Sequence, residues 1–178
     1  ENKGRCIKET TFNYPRPNRS LVSRYREKYY YMFHNPCALI KTSYGCPYQC
    51  SFCFCRQITD GKYFVRDLQD IIEEIKDIEE RELYIVDDDF LVDRKRLLDF
   101  CTLLRENDIH KNFLIYGRSD FIAENEDIIK EFASCGLRAV IVGLESSSEE
   151  ELKKYNKKSS VTINERAIDI LKKYDVEC

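Results

Sequence analysis

The sequence predicts an α/β fold built on a parallel β-sheet. Two observations predict it: short apolar segments alternate four times with amphipathic segments, and the apolar segments recur at intervals of roughly 30 residues. A helix in each interval gives the strand–helix–strand unit, in which neighbouring strands run parallel through right-handed crossovers. The apolar segments are also continuous, which is typical of strands buried on both faces of a parallel sheet.

Four apolar segments are the predicted strands of this sheet. In chain order they are CALIKTS from Cys37, ELYIVDD from Glu82, NFLIYGR from Asn112 and LRAVIVGLES from Leu137. Parallel strands place their carboxyl ends at one edge of the sheet, which is where ligands bind in this class of fold.

Amphipathic segments fill the intervals and continue after the fourth strand. The predicted helices cover residues 67–80, 93–107, 125–136, 147–156 and 162–175. In the first helix one apolar face holds Leu68, Ile71, Ile72, Ile75 and Ile78. In the second, one face holds Leu97, Leu98, Cys101 and Leu104. Gly136 is predicted to end the third helix, and Thr162 with Glu165 is predicted to open the last helix as a capping box.

Composition and charge narrow the function classes. The chain has 178 residues, of which 43% are hydrophobic and 34% charged, which suits one soluble domain with its own core. A net charge of −3 provides no field to attract nucleic acid. No apolar run approaches the roughly 20 residues of a membrane span. Nine cysteines in a helix-rich chain without a signal-peptide core favour a reducing, cytoplasmic compartment.

The chain divides into a lead-in, residues 1–35, and a core, residues 36–178. The lead-in contains NYPRPNRS, whose prolines disfavour helix, and then a Tyr-rich segment predicted as a short helix or a strand. The first residue is not Met, and the final LKKYDVEC keeps an apolar pattern to its end. We therefore expect a piece of a longer protein, in which the lead-in follows a preceding domain.

Polar residues with possible binding roles follow every predicted strand. A cysteine-rich loop follows the first strand. The later strand ends carry Asp87, Asp88 and Asp89, then Arg118 and Asp120, then Glu145 and Ser146. Three adjacent carboxylates repel one another unless a cation or hydrogen-bond donors lie beside them. The sequence therefore predicts one polar binding site at the carboxyl edge of the sheet.

Some of these polar residues have a structural alternative. An Asp after a strand often caps the next helix, and either Asp89 or Asp93 is placed to do so. Ser147 or Ser148 is placed to cap the helix that follows the fourth strand. For these positions the sequence leaves a structural role and a binding role open.

The cysteine-rich loop reads GCPYQCSFCFC and holds four cysteines within ten residues. Cys46, Cys50 and Cys53 have the spacing C-x3-C-x2-C, and Cys55 follows two residues later. Thiolates in such a loop bind either zinc or an iron–sulfur cluster. Zinc would need Cys55 or one of the two histidines as a fourth ligand. A cluster would need three cysteines and would leave one iron open for a substrate.

The segment GCPYQCSFC resembles the C-x3-C-x-aromatic-C motif of radical S-adenosylmethionine (SAM) enzymes, and it follows the first strand, as it does in that family. The resemblance implies a partial (β/α)6 barrel, of which this chain supplies about four strands and ends where the fifth should start. It also implies that Cys46, Cys50 and Cys53 hold a [4Fe–4S] cluster. In this family the reduced cluster cleaves SAM to a 5′-deoxyadenosyl radical, which abstracts hydrogen from a substrate.

The resemblance also implies roles for other strand-end residues. VDDDF stands where the family usually has a Gly-Gly-Glu-like segment, and it resembles the DD-x-F of the cobalamin-binding subgroup. An Asp carboxylate accepts hydrogen bonds from an ammonium group equally well. The implied SAM contacts are Asp88 and Asp89 to the amino group, Glu145 and Ser146 to the ribose or the methionine moiety, Arg118 and Lys157 to the carboxylate, and Phe52 to the adenine.

The subgroup likeness sets expectations for cofactors and partners. It implies cobalamin in the full-length protein, used for methylation or rearrangement of a small-molecule or unknown substrate, and an electron donor such as flavodoxin or ferredoxin. We expect weak or no activity from this chain alone, because later strands of the barrel are missing. Two alternatives stay open: a methylthiotransferase-type radical enzyme acting on RNA or protein, and a zinc-stabilised binding module without catalysis. Cys55 is predicted to take no part in binding the cluster.

Overall fold

The computed structural model describes residues 11–12 and 14–178; Cys6 and the rest of residues 1–10, with residue 13, lie outside the described part. Its strands are β1 (Cys37–Ile40), β2 (Ser43–Tyr44), β3 (Phe64–Val65), β4 (Glu82–Ile85), β5 (Asn112–Arg118) and β6 (Leu137–Gly143). The main sheet has the order β1-β4-β5-β6, and all of its strands are parallel. This confirms the predicted fold class.

The described helices lie between these strands and after them. They are a 3-10 helix (Arg19–Lys28), α1 (Cys55–Thr59), α2 (Leu68–Lys76), α3 (Arg94–Glu106), α4 (Ser119–Glu124), α5 (Glu126–Ser134), α6 (Glu149–Lys154) and α7 (Val161–Lys173). The five predicted helices correspond to α2, α3, α5, α6 and α7. The short helices α1 and α4 and the β2–β3 pair were not predicted.

The main core lies between the sheet and the helices. The face predicted for α2 is confirmed, since Ile71, Ile72 and Ile75 are fully buried. The face predicted for α3 is wrong at Leu98, which is exposed, while Phe100 is buried instead. A helix turns about 100° per residue, so a position next to buried Leu97 points away from the core.

Helix ends confirm one predicted cap and correct another. Gly136 follows α5 with φ +114, and a Cβ there would lie 2.0 Å from the carbonyl oxygen of Lys111. The capping box predicted at Thr162 is wrong: α7 begins at Val161, and Ser160 is its N-cap, accepting from the Ile163 amide. The cap lies two residues earlier because Ser160 offers the same kind of oxygen ahead of Thr162.

The opposite face of the sheet carries a second, smaller cluster. Cys37, Tyr84, Leu114 and Ala139 are buried on it. Tyr31 from the lead-in packs on Tyr84 with ring centroids 4.5 Å apart. This face is the inner face of the partial barrel, and the lead-in closes part of it.

The sheet continues beyond β6. Glu177 forms a parallel bridge with Ala139: its amide donates to Arg138 O, and its carbonyl accepts from the Val140 amide, both at 2.8 Å. The chain after α7 thus returns to the edge of β6 and pairs with it in parallel.

The part of the lead-in that the structure describes is docked on the core by arginines. Arg19 donates to the carbonyl of Leu39 on β1 (2.9 Å) and to Glu74 on α2 (2.7 Å). Arg26 lies 2.6 Å from Glu80, and the Cys37 amide donates to Tyr29 O. These contacts cover the free edge of β1. Within residues 11–12 and 14–178, no helix is long and apolar enough to cross a membrane.

Candidate cofactor site at the carboxyl edge of the sheet

A short antiparallel pair closes the base of the cysteine loop. Strands β2 and β3 pair through Ser43 with Val65 and Tyr44 with Phe64. Gly45 then opens the loop with φ +82, and a Cβ there would lie 2.1 Å from the carbonyl oxygen of Lys62. Only glycine fits both the left-handed backbone and this close approach.

The four loop cysteines are free thiols and partly exposed. Burial raises the pKa of Cys46 to about 11. Burial first, and then the neighbouring thiol of Cys53, raises the pKa of Cys55 to about 12. Cys55 begins α1, and its Sγ lies 3.8 Å from Asp88 Oδ1. The structure therefore places all four thiols at the predicted edge, and Cys55 faces an acidic side chain.

The donor set fits an iron–sulfur cluster better than a zinc ion. Structural zinc needs four ligands around one point, so Cys46, Cys50 and Cys53 would require Cys55 or a histidine as the fourth. His34 instead contacts Glu82, with Nδ1 and Oε2 2.6 Å apart. Cysteines that hold a cluster bind different irons and need no common point.

The three adjacent aspartates point in different directions. Asp87 is buried and accepts from the Thr42 amide (2.7 Å), the Thr42 hydroxyl (2.5 Å) and the Ser43 hydroxyl (2.6 Å). Asp88 accepts from the Gly45 amide at 2.7 Å. Asp87 thus fixes the turn after β1, and Asp88 fixes the first residue of the cysteine loop. Their roles explain how three neighbouring carboxylates coexist.

Asp89 has a free carboxylate oxygen inside the site. It is 3% exposed; Oδ1 accepts from the Leu91 amide at 3.1 Å, whereas Oδ2 is buried without a hydrogen-bond partner. Burial raises the pKa of Asp89 to about 7, although Arg118 opposes the shift. The capping alternative is settled, because α3 is capped by Asp93, which accepts from the Arg96 amide. A buried carboxylate oxygen without a hydrogen-bond partner indicates a place where a hydrogen-bond donor or a cation can bind.

Arg118 lies at the centre of the site, with most of its donors in use. It makes a bidentate contact with Asp120 and donates to the carbonyl of Lys157. Its Nη1 lies 3.4 Å from Cys50 Sγ, and its guanidinium stacks 3.8 Å from the ring centroid of Tyr48. The structure thus ties this arginine to the cysteine loop itself.

Residues after β6 form the far wall of the site. Lys157 is buried, and its Nζ lies 3.0 Å from Glu145 Oε1. Both approach Gly143 so closely that a Cβ there would lie 2.7 Å or less from each of them. Ser146 contacts Glu151 and accepts from the amide of Ser148, which caps α6. The structure therefore brings Glu145 and Lys157 together, whereas Ser146 is engaged with α6.

The segment that follows α6 holds the cysteine loop. The Ser51 amide donates to Tyr155 O at 2.9 Å, and the Asn156 side chain donates to Gln49 O at 2.7 Å. Phe52 packs edge-to-face on Tyr155, with centroids 5.7 Å apart. Sequence reasoning missed these partners and Tyr48. Backbone contacts between segments about a hundred residues apart leave no local pattern to find.

A parallel sheet with a three-cysteine loop after its first strand defines the class of protein. A sequence profile of the Radical SAM superfamily matches residues 40–178. The chain belongs to this superfamily, whose cofactors are a [4Fe–4S] cluster and S-adenosylmethionine. The predicted family and cofactors are thereby confirmed.

Particular relatives are known by sequence. Hopanoid C-3 methylase of Methylococcus capsulatus is 29% identical over 153 residues, which are 86% of this chain and 30% of that protein. Anaerobic magnesium-protoporphyrin IX monomethyl ester cyclase of Rubrivivax gelatinosus is 30% identical over 155 residues, covering 82% and 27%. The chain thus spans less than a third of these relatives.

Solved structures share the fold. The cobalamin-dependent SAM radical enzyme OxsB, with aqua-cobalamin and SAM bound, superposes with a TM-score of 0.70 at 20% identity, covering 78% of this chain and 22% of OxsB. The radical SAM methyltransferase TsrM from Kitasatospora setae gives 0.64 at 18% identity, covering 87% and 30%. Both superpositions support the partial barrel predicted from the sequence.

Proposed function

We propose that this chain is the cofactor-binding core of an enzyme that cleaves SAM to a radical. The observation that carries the proposal is the buried Asp89 oxygen without a hydrogen-bond partner, at the same edge of the sheet as the cysteine loop. Thiolates of the loop can hold iron, and the nearby carboxylate oxygen can accept a hydrogen bond from an ammonium group. The site therefore suits a ligand that binds iron and also carries an ammonium group.

Each residue of the site has a role in the proposal. Cys46, Cys50 and Cys53 hold the cluster, and Asp89 accepts from the amino group of SAM. Asp88 holds the loop entrance through Gly45. The chemistry supplied by the bound cofactors is reductive cleavage of SAM to a 5′-deoxyadenosyl radical, which removes hydrogen from a substrate.

The remaining contacts are assigned by position at the same edge. Arg118 and Lys157 face the carboxylate of SAM, and Arg118 also orients Cys50. Glu145 and Ser146 serve the ribose or the methionine moiety. Phe52, which is half exposed, faces the adenine.

The proposal for the full-length protein is cobalamin-dependent methylation or rearrangement of a small molecule in the cytoplasm. The methylase among the relatives and the VDDDF segment support it. We expect a small redox protein such as flavodoxin or ferredoxin to supply the reducing electron.

Cluster assembly tests the proposal. Anaerobic reconstitution with iron and sulfide is expected to give about four irons per chain and visible thiolate-to-iron absorbance. Cys50→Ala should lose both signals. Cys55→Ala is the matched control from the same loop and should keep them.

Two outcomes would contradict the proposal. One is a stoichiometric zinc ion with no iron–sulfur absorbance, which would favour a zinc-stabilised module. The other is equal loss of iron in Cys50→Ala and Cys55→Ala, which would remove the division of the loop into three ligands and one bystander.

A further inference from the structure

Two cysteines outside the cofactor site lie against each other in the helical layer. Cys101 is in the middle of α3 and fully buried, and Cys135 follows the last residue of α5. The Sγ of Cys135 lies 3.8 Å from the carbonyl oxygen of Cys101. The two thiols influence each other: the neighbouring thiol raises the pKa of Cys101 and lowers that of Cys135. Both residues are free thiols.

The two thiols are chemically unequal. Cys135 is partly exposed, whereas Cys101 is fully buried. The neighbouring Cys101 thiol, with a contribution from Arg105, lowers the pKa of Cys135. The neighbouring Cys135 thiol and burial raise the pKa of Cys101. The thiolate is the nucleophile in disulfide exchange. Cys135 is therefore placed to attack first, and Cys101 to resolve the product.

A cavity gives solvent access to Cys135. Its volume is about 270 Å³, and it lies at the end of the sheet opposite the cofactor site. Its cationic lining residues are Arg81, Arg105, Lys111 and Arg138. One lining residue, Asp108, is a carboxylate, and the carboxylate of Glu131 pairs with Arg105, so the cationic residues are still in excess. The cavity therefore favours an anionic reactant over a neutral one.

We propose that Cys101 and Cys135 form a redox-active dithiol that closes to a disulfide by exchange with an anionic small-molecule disulfide such as glutathione disulfide. The Cys135 thiolate attacks one sulfur of the oxidant, forming a mixed disulfide and releasing one thiol. Cys101 then loses its proton and attacks the Cys135 sulfur, which releases the second thiol. The cysteine pair gives up two electrons and two protons, and the oxidant becomes two thiols.

Peptide mapping of the whole chain tests the dithiol. Trypsin places the two cysteines in separate peptides, LLDFCTLLR and EFASCGLR, and all four loop cysteines in a third, TSYGCPYQCSFCFCR. After anaerobic treatment with glutathione disulfide and alkylation of free thiols, the first two peptides are expected as one linked species. Recovery of both in alkylated form, or linkage of either to the third peptide, would overturn the proposal.

Single variants test the order of attack. In Cys101→Ala, Cys135 should stop at the mixed disulfide with glutathione; in Cys135→Ala, Cys101 should stay reduced. A Cys101 that forms the mixed disulfide in Cys135→Ala would overturn the assignment of nucleophile and resolving thiol. If a variant fails to fold, the mapping of the unchanged chain still decides.

Charge tests the class of oxidant. At low salt, glutathione disulfide should react roughly tenfold faster than neutral 2-hydroxyethyl disulfide, and added salt should remove the advantage. Arg138→Glu should reduce the advantage in the same way. Equal rates for the two oxidants at low salt would refute the preference for an anionic reactant.

Discussion

Individual residues show how one short acidic segment serves three purposes. Asp87 accepts hydrogen bonds from the turn after β1, and Asp88 accepts from the first residue of the cysteine loop. Asp89 keeps one carboxylate oxygen without a hydrogen-bond partner. Leaving a buried acceptor unpaired costs about 1–3 kcal/mol. A protein that keeps such a group in a binding site gives up stability that a ligand can restore.

Asp89→Asn should make the ligand-free protein relatively more stable as the pH rises. The folded-state pKa of Asp89, about 7, lies above its ordinary value of 3.8 because of burial. Stability is therefore greatest below the ordinary value and is lost as the pH rises through the folded value. Relative to wild type, the variant should gain about 2–3 kcal/mol in free energy of unfolding between pH 5 and pH 8. Urea denaturation at both values measures this gain.

The comparison at pH 5 is the internal control for this substitution. A stability difference that does not change with pH would show that Asp89 is ionised at little cost, contrary to its burial. Binding of SAM should weaken in the same variant, because an amide offers the ammonium group no charge. Unchanged binding would move the ammonium contact to another residue.

Residues of this site can be recognised in the sequence only where their type and spacing are unusual. The spacing of Cys46, Cys50 and Cys53 and the run of three aspartates are both visible in the sequence. Tyr48 and Asn156 are ordinary polar residues in their local context. Tyr48 is placed by Arg118, and Asn156 by a fold that brings residues 49–51 against residues 154–156. No short window of sequence contains either pair of partners.

Among the secondary-structure elements, the long ones can be predicted from the spacing of their apolar residues, and the short ones cannot. The helix α2 was predicted because five apolar residues repeat with helical spacing. Strands β2 and β3 have two residues each, too few for any periodicity, and α1 has five. These unpredicted elements are nevertheless the ones next to the cysteine loop. The long elements that carry the site are therefore easier to predict from the sequence than the short elements around the loop.

Gly45→Ala should damage the element that frames the loop. Its φ of +82 disfavours alanine, and a Cβ would lie 2.1 Å from Lys62 O. Strain and overpacking together should lower the free energy of unfolding by roughly 2–4 kcal/mol. Iron incorporation during reconstitution should fall as well, because the Gly45 amide donates to Asp88. Denaturation and iron analysis measure the two effects.

Gly61→Ala is a matched control for this prediction. Gly61 also has a positive φ, +68, but a Cβ there would approach only the Arg56 side chain, at 3.4 Å. It should cost about 1 kcal/mol and leave iron incorporation intact. Equal losses in the two variants would mean that backbone strain alone, and not the contact with Lys62, explains the need for glycine.

At the scale of the whole molecule, a network of charges joins the lead-in to the core. Glu74 is 2% exposed and lies between two arginines. Arg19 donates to its Oε1 at 2.7 Å, and Arg66 lies 2.7 Å from Oε2 in an ion pair without aligned hydrogen-bond geometry. The lead-in thus supplies the better aligned of the two partners and behaves as part of the domain.

Arg19→Ala should release the lead-in. The loss of its bonds to Glu74 and Leu39 O should lower the free energy of unfolding by about 2 kcal/mol. Cleavage by chymotrypsin after Tyr25 and Tyr29 should become faster, since the 3-10 helix loses its anchor. Timed digestion followed by mass spectrometry measures the rate.

Arg24→Ala is the control within the same 3-10 helix. Arg24 lies over the ring of the adjacent Tyr25, 4.6 Å from its centroid. It should leave both stability and digestion close to wild type. Equal sensitivity of the two variants would mean that the helix is held by its apolar contacts and not by Arg19.

The contacts between the cysteine loop and the segment after α6 affect the order of events during biosynthesis, because the loop is made well before that segment. The Ser51 hydroxyl also donates to Lys154 O. The partners in this bond and in the bond between Asn156 and Gln49 are 103 and 107 residues apart in the chain, so the ribosome makes the second partner of each pair long after the first. At 5–20 residues per second the interval is roughly 5–20 s. During that time the thiols of the nascent chain lack their contacts with residues 154–156 and are accessible to oxygen and adventitious metal ions. The cofactor site is therefore complete only after synthesis has passed residue 157, even where iron is abundant.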